Sequence, residues 1–75
     1  MDEYDAFLLN VGGVLRAARE NAGMTQVQLA ESVETSASAI YYYESGKVCM
    51  SAWMLRKLCD VLDVSADDVL GLEER

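Results

Sequence analysis

Apolar residues in the first third of the chain recur at helical spacing. Leu8, Val11, Leu15, Ala18 and Ala22 follow one another at steps of three or four, one buried stripe of a helix running from Tyr4 to Asn21. Gly12 and Gly13 interrupt that stripe. An interior glycine costs about 1 kcal/mol relative to alanine, so residues 4 to 10 form either a separate turn or the start of one continuous, weakened helix. Gly23, just past Asn21, suits a left-handed helix stop.

Short polar residues punctuate the rest of the chain. Thr25 opens a second helix, with Gln28 three residues on to complete a capping box, and Leu29, Ala30 and Val33 form its inner face. That helix is expected to stop near Glu34, because "ETSAS" is rich in side chains that prefer caps and turns. Ser36 caps a third helix over 36–44 with Ile40 and Tyr43 inward, and Gly46 in "ESGK" closes it with a positive φ. Ser51 caps a fourth whose inner face is Leu55, Leu58, Cys59 and Leu62. Ser65 caps a short fifth carrying Val69 and Leu70, where Asp67 and Asp68 face the positive end of the helix dipole. Strand-like alternation is absent, so residues 1–75 are expected to form one all-α domain, a compact five-helix bundle.

Composition narrows the class. At 75 residues and 52% hydrophobic, with no proline, the chain is near the lower size limit for a self-sufficient core. Cys49 and Cys59 lie ten apart and there is no histidine, a combination that fits neither a metal site nor a disulfide scaffold. Cys59 reads as a small core residue and Cys49 as a loop thiol. Apolar runs fall far short of the ~20 residues of a membrane span, and the acidic start lacks the basic region of a signal peptide. A cytoplasmic protein with no membrane association, no cofactor and no metal is expected. Without a histidine or a nucleophile constellation, no enzyme reading is supported.

The net charge of −7 is the wrong sign for a protein that sits on phosphates. Much of the acid lies at the ends, however, and between Met24 and Met50 there are three acids, Glu31, Glu34 and Glu44, against one base, Lys47.

The second and third helices are joined by only two or three residues, the geometry of a helix-turn-helix at about 25–45. Around it stand Arg19, Gly23, "TQ" at Thr25 and Gln26, "LA" at Leu29 and Ala30, Ile40, "ESGK" at Glu44 to Lys47 and "LCDVLDVS" with its closing "VL". Over about residues 11–72 this resembles the helix-turn-helix domain of the phage repressor and Cro-like family, also called the XRE family. The resemblance implies a fold of the lambda-repressor-like type and a sequence-specific DNA-binding transcriptional regulator, a repressor, with helix 36–44 in the major groove of a double-stranded operator. It implies base-facing positions at Ser36, Ala37, Ser38, Tyr41 and Tyr42, and phosphate contacts at Gln26, Lys47 and the amides near Ser51. It also implies a structural ion pair between Arg19 and Glu44.

Three departures from the family pattern carry consequences. The groove-facing positions hold two serines, an alanine and two tyrosines where glutamine, arginine, lysine or asparagine would make bidentate base contacts, so readout is expected to be sparse and weighted towards shape. Glu34 replaces a turn glycine, at a cost of roughly 1 kcal/mol. Met50 replaces a proline before the fourth helix. For Tyr41 and Tyr42 the alternative is plain amphipathic surface.

Two surfaces are nominated for partners. Phe7, Leu8 and Leu9 cannot all face the core, so Phe7–Val11 is the leading contact for a homodimer, with the C-terminal "VLGLEER" its rival. Trp53 is expected to pack under the third helix, with an exposed anchor as the alternative. The charge and the neutral recognition surface also leave open a protein-interaction module that keeps the fold, binds DNA weakly or not at all, and engages a partner regulator through Tyr41, Tyr42 and Trp53.

Overall fold

Every helix starts at a side-chain cap. In the computed structural model, which describes residues 1–72, Asp2, Thr25, Ser36, Ser51 and Ser65 are the caps. They precede α1 (Glu3–Asn21), α2 (Gln26–Ser32), α3 (Ala37–Glu44), α4 (Ala52–Leu62) and α5 (Ala66–Leu70). Each cap oxygen accepts a hydrogen bond from the backbone N–H three residues on, satisfying a donor that the first turn leaves free. At Thr25 the bond is reciprocated, its own N–H donating to Gln28 Oε1 at 2.8 Å. Of the five caps, only Asp2 is missing from the sequence reading.

Helix ends are equally uniform. A left-handed residue follows each helix, and the next N–H turns back onto it, as Met24 N–H does onto the Arg19 carbonyl at 3.1 Å and Thr35 N–H onto Ala30 at 2.9 Å. Glu34 and Asp63 adopt this conformation without being glycine, with φ of 60° and 55°. Between the caps Val33 and Ser36 only Glu34 and Thr35 remain, the two-residue link that the helix-turn-helix requires.

The first helix is continuous, and its two glycines have different reasons to be there. A Cβ on Gly12 would collide with the carbonyl oxygens of Tyr43 and Glu44 at the end of α3, so α1 and α3 touch backbone to backbone. Gly13 faces open space. Around this contact Val11, Leu15, Leu29, Ala30, Val33, Ile40, Leu58, Cys59, Leu62 and Val69 form one core. The radius of gyration, 11.5 Å, matches the about 11 Å of a compact chain of this length. Among the described residues there is no strand, and no helix is long and apolar enough to cross a membrane. Burial, with a smaller contribution from Asp60, raises the pKa of the Cys59 thiol and keeps it protonated.

Two expectations are corrected. Ala22 is exposed: it is the C-cap of α1, where the chain leaves the helical stripe. Trp53 is 64% exposed. Leu58 and Cys59 take the inner face of α4 with Met54 and Leu55 partly buried beside them, which turns Trp53 outward, where the Lys57 ammonium lies 5.7 Å from its ring centroid. That same ammonium donates to the Val33 carbonyl at 2.8 Å and so ties α4 to the end of α2.

One ion pair fastens α1 to α3. Arg19 Nε donates to Glu44 Oε2 at 2.7 Å and Arg19 Nη2 to Oε1 at 3.1 Å, a bidentate pair with side chains 11% and 4% exposed. Arg19 Nη1 donates to the Met24 carbonyl at 2.8 Å, which fixes the chain between α1 and α2. The hydrogen bond to Glu44 raises the Arg19 pKa against the lowering effect of burial, so the guanidinium stays charged.

Two predictions follow from this packing. Gly13→Ala is expected to stabilise the domain by about 1 kcal/mol, a rise of about 4–8 °C in Tm, whereas Gly12→Ala is expected to lower Tm; thermal melts by circular dichroism separate them. Arg19→Met leaves a buried carboxylate unpaired and should cost about 3–5 kcal/mol. The double variant Arg19→Met/Glu44→Leu should lose clearly less than the sum of the two single losses in urea titrations.

Candidate nucleic-acid interface

The outward face of α3 is set by what its inner face must bury. Ile40 is fully buried and Tyr43 partly so, which leaves Ser38, Tyr41 and Tyr42 exposed on the opposite side. The Tyr41 and Tyr42 rings meet edge to face, with centroids 5.7 Å apart and planes at 63°. Ser45 Oγ–H donates to the Tyr41 carbonyl at 2.7 Å at the helix end. Ser36 is exposed, but its oxygen already accepts from Ala39 N–H, and Ala37 is half-buried beside it.

An open groove of about 610 Å³ separates this face from α1 and the start of α2, lined among others by Arg16, Arg19, Gln26, Tyr41 and Glu44. Gln26 Nε2 donates to Glu44 Oε1 at 3.1 Å, so the α2 amide joins the ion pair of α1 and α3. A primary amide nitrogen carries two hydrogens. Glu44 takes one of them and holds the side chain in place.

Lys47 and Ser51 stand apart from this groove. Lys47 is exposed in the loop after α3, and Ser51 is exposed at the start of α4, its hydroxyl accepting from Met54 N–H at 3.1 Å. Of the positions expected to touch DNA, the groove therefore gathers Gln26, Ala37 and Tyr41, while Ser38 and Tyr42 lie on the exposed face of α3. The groove also contains Arg16, which the sequence reading passed over. Its signal was position: it lies one turn before Arg19, on the flank of the same helix.

The expected contact surfaces at the chain ends turn out to adjoin. Leu8 and Val11 are buried while Phe7 and Leu9 are exposed, so two of the three apolar side chains turn outward where one was expected. An apolar trough of about 230 Å³ runs between Phe7, Val11, Val48, Leu55 and Leu70, so α1 and the end of α5 wall the same depression. Glu73 to Arg75 of the rival C-terminal segment lie outside the described residues.

Comparison with known proteins agrees with this geometry. A family model described as a helix-turn-helix domain matches residues 10–71. The structure of ClgR, the clp gene regulator of Corynebacterium glutamicum, superposes with a TM-score of 0.81 at 31% identity, covering 85% of this chain and 82% of that one. The restriction-modification controller protein C.AhdI of Aeromonas hydrophila gives a TM-score of 0.83 at 26% identity, covering 91% and 99%. No curated protein sequence matches. With the matched span running from late in the first turns of α1 to the end of α5, this chain belongs to the helix-turn-helix domain family.

Proposed function

We propose that the protein is a sequence-specific DNA-binding transcriptional regulator, a repressor acting in the cytoplasm, that lays α3 in the major groove of a double-stranded operator. The observation that carries this reading is the outward face of α3 beside a groove whose Gln26 amide is already oriented. Ser38 and Ala37 meet base edges, Tyr41 and Tyr42 meet sugars and phosphates, and Ser36 stays at the cap. Gln26, Lys47 and the amides near Ser51 hold the backbone. The solved relatives support the reading by their descriptions, one a gene regulator and the other a controller of restriction-modification. Binding a nucleic acid by this route needs no cofactor and no catalytic group.

The active form is a homodimer that covers the trough between Phe7 and Leu70. A chain this small gains stability by burying such a surface against a second copy, and two copies present two α3 helices to two half-sites. A second reading, a protein-interaction module that engages a partner regulator, draws on the exposed Trp53 and the charge of −7.

Fluorescence anisotropy on a duplex from the protein's own promoter region tests the main reading. Binding is expected at ~50 mM salt, with a salt slope corresponding to fewer than about eight released ions. No binding under those conditions overturns it and favours the interaction module. In sedimentation velocity, Phe7→Ser is expected to shift a dimer towards monomer; an unchanged distribution would refute the trough as the interface.

A further inference from the structure

Five basic residues fall within the described chain, and three of them are engaged in holding the protein together or lie away from the α3 face. Arg19 is committed to Glu44 and Met24, Lys57 to the Val33 carbonyl, and Arg56 pairs with Asp60 along α4. Lys47 is exposed in the loop beyond α3. Arg16 alone combines an exposed guanidinium with a place on the wall of the groove beside α3, sharing it with Gln26 and Tyr41.

We infer that Arg16 is a DNA-phosphate anchor, supplied by α1 and held in reserve by Glu20. The inference rests on the DNA-binding reading above and extends it to a residue outside the helix-turn-helix. Arg16 Nε lies 3.3 Å from Glu20 Oε2, with the side chains 64% and 55% exposed. Such a pair is weak, because both groups remain hydrated. The contact engages one of the five N–H donors of the guanidinium. A phosphate entering the groove offers two oxygens in the fork geometry that arginine fits, so it displaces the single long contact to Glu20. The arrangement also puts a cation beside an α3 face that carries no charge of its own. Glu20 then acts as a competitor for the same guanidinium.

Arg56 provides a matched control, since it forms an i,i+4 pair with Asp60 at 3.8 Å, with side chains 74% and 73% exposed, on a different helix. The experiment measures the salt dependence of binding by the unsubstituted protein, Arg16→Ala, Arg56→Ala and Glu20→Gln. The probes are a promoter-region duplex and a random-sequence duplex of equal length, and circular dichroism melts verify that each variant is folded. Arg16→Ala is expected to reduce the slope of log K against log salt by about one per protomer and to weaken both duplexes alike. Arg56→Ala should leave the slope unchanged, and Glu20→Gln should tighten binding at ~50 mM salt. If the unsubstituted protein binds while Arg16→Ala and Arg56→Ala give the same slope, the Arg16 anchor is overturned and the DNA-binding reading stands. If the unsubstituted protein binds neither duplex, both are overturned.

Discussion

The bidentate pair between Arg19 and Glu44 is the constraint on which the rest of this domain depends. It joins the end of α1 to the end of α3, and the third nitrogen of the same guanidinium fixes the chain that leads into α2. Gly12, Leu15 and Arg19 lie at steps of three and four, so α1 presents α3 with a backbone contact, a buried leucine and a charge along one line. The backbone contact demands glycine and the charge demands a buried partner. Together they leave α3 one position relative to α1.

That position has a consequence for the proposed interface. Glu44 neutralises Arg19 and also accepts from Gln26, so the same carboxylate that locks the fold holds the amide at the mouth of the groove. A buried pair of this kind is weak evidence for net stability, because desolvation offsets much of the attraction. Its contribution here is geometric. It ties three helices to a single arrangement, and the side chains that would meet a phosphate inherit that arrangement.

An α3 whose outward face carries no charge, on an acidic chain, is compatible with DNA binding when affinity and readout are carried by different elements. In the proposed complex charge would act over the phosphates, through Arg16 and Lys47, the exposed cations of α1 and the loop after α3. Shape and small contacts would act in the DNA groove, where Ser38, Ala37 and the two tyrosines offer few bidentate hydrogen bonds.

Local chemistry was legible in the sequence. Thr25, Ser36, Ser51 and Ser65 announce helix starts because their oxygens satisfy donors three residues away, and Ile40, Leu58 and Val69 announce inner faces by spacing alone. The pairing of Arg19 with Glu44 was legible through resemblance to a family, not through spacing, since 25 residues separate them. What only the tertiary structure decided are properties of packing between distant segments. Gly12 is required and Gly13 is not, because α3 crosses at one and misses the other. Trp53 points outward because smaller apolar residues of α4 already fill the inner face. Phe7 and Leu70 share a trough, and Arg16 shares a groove with Gln26 and Tyr41, because helices far apart in sequence come together there. A helical period states which side a residue faces; which neighbour waits on that side depends on how the five helices pack.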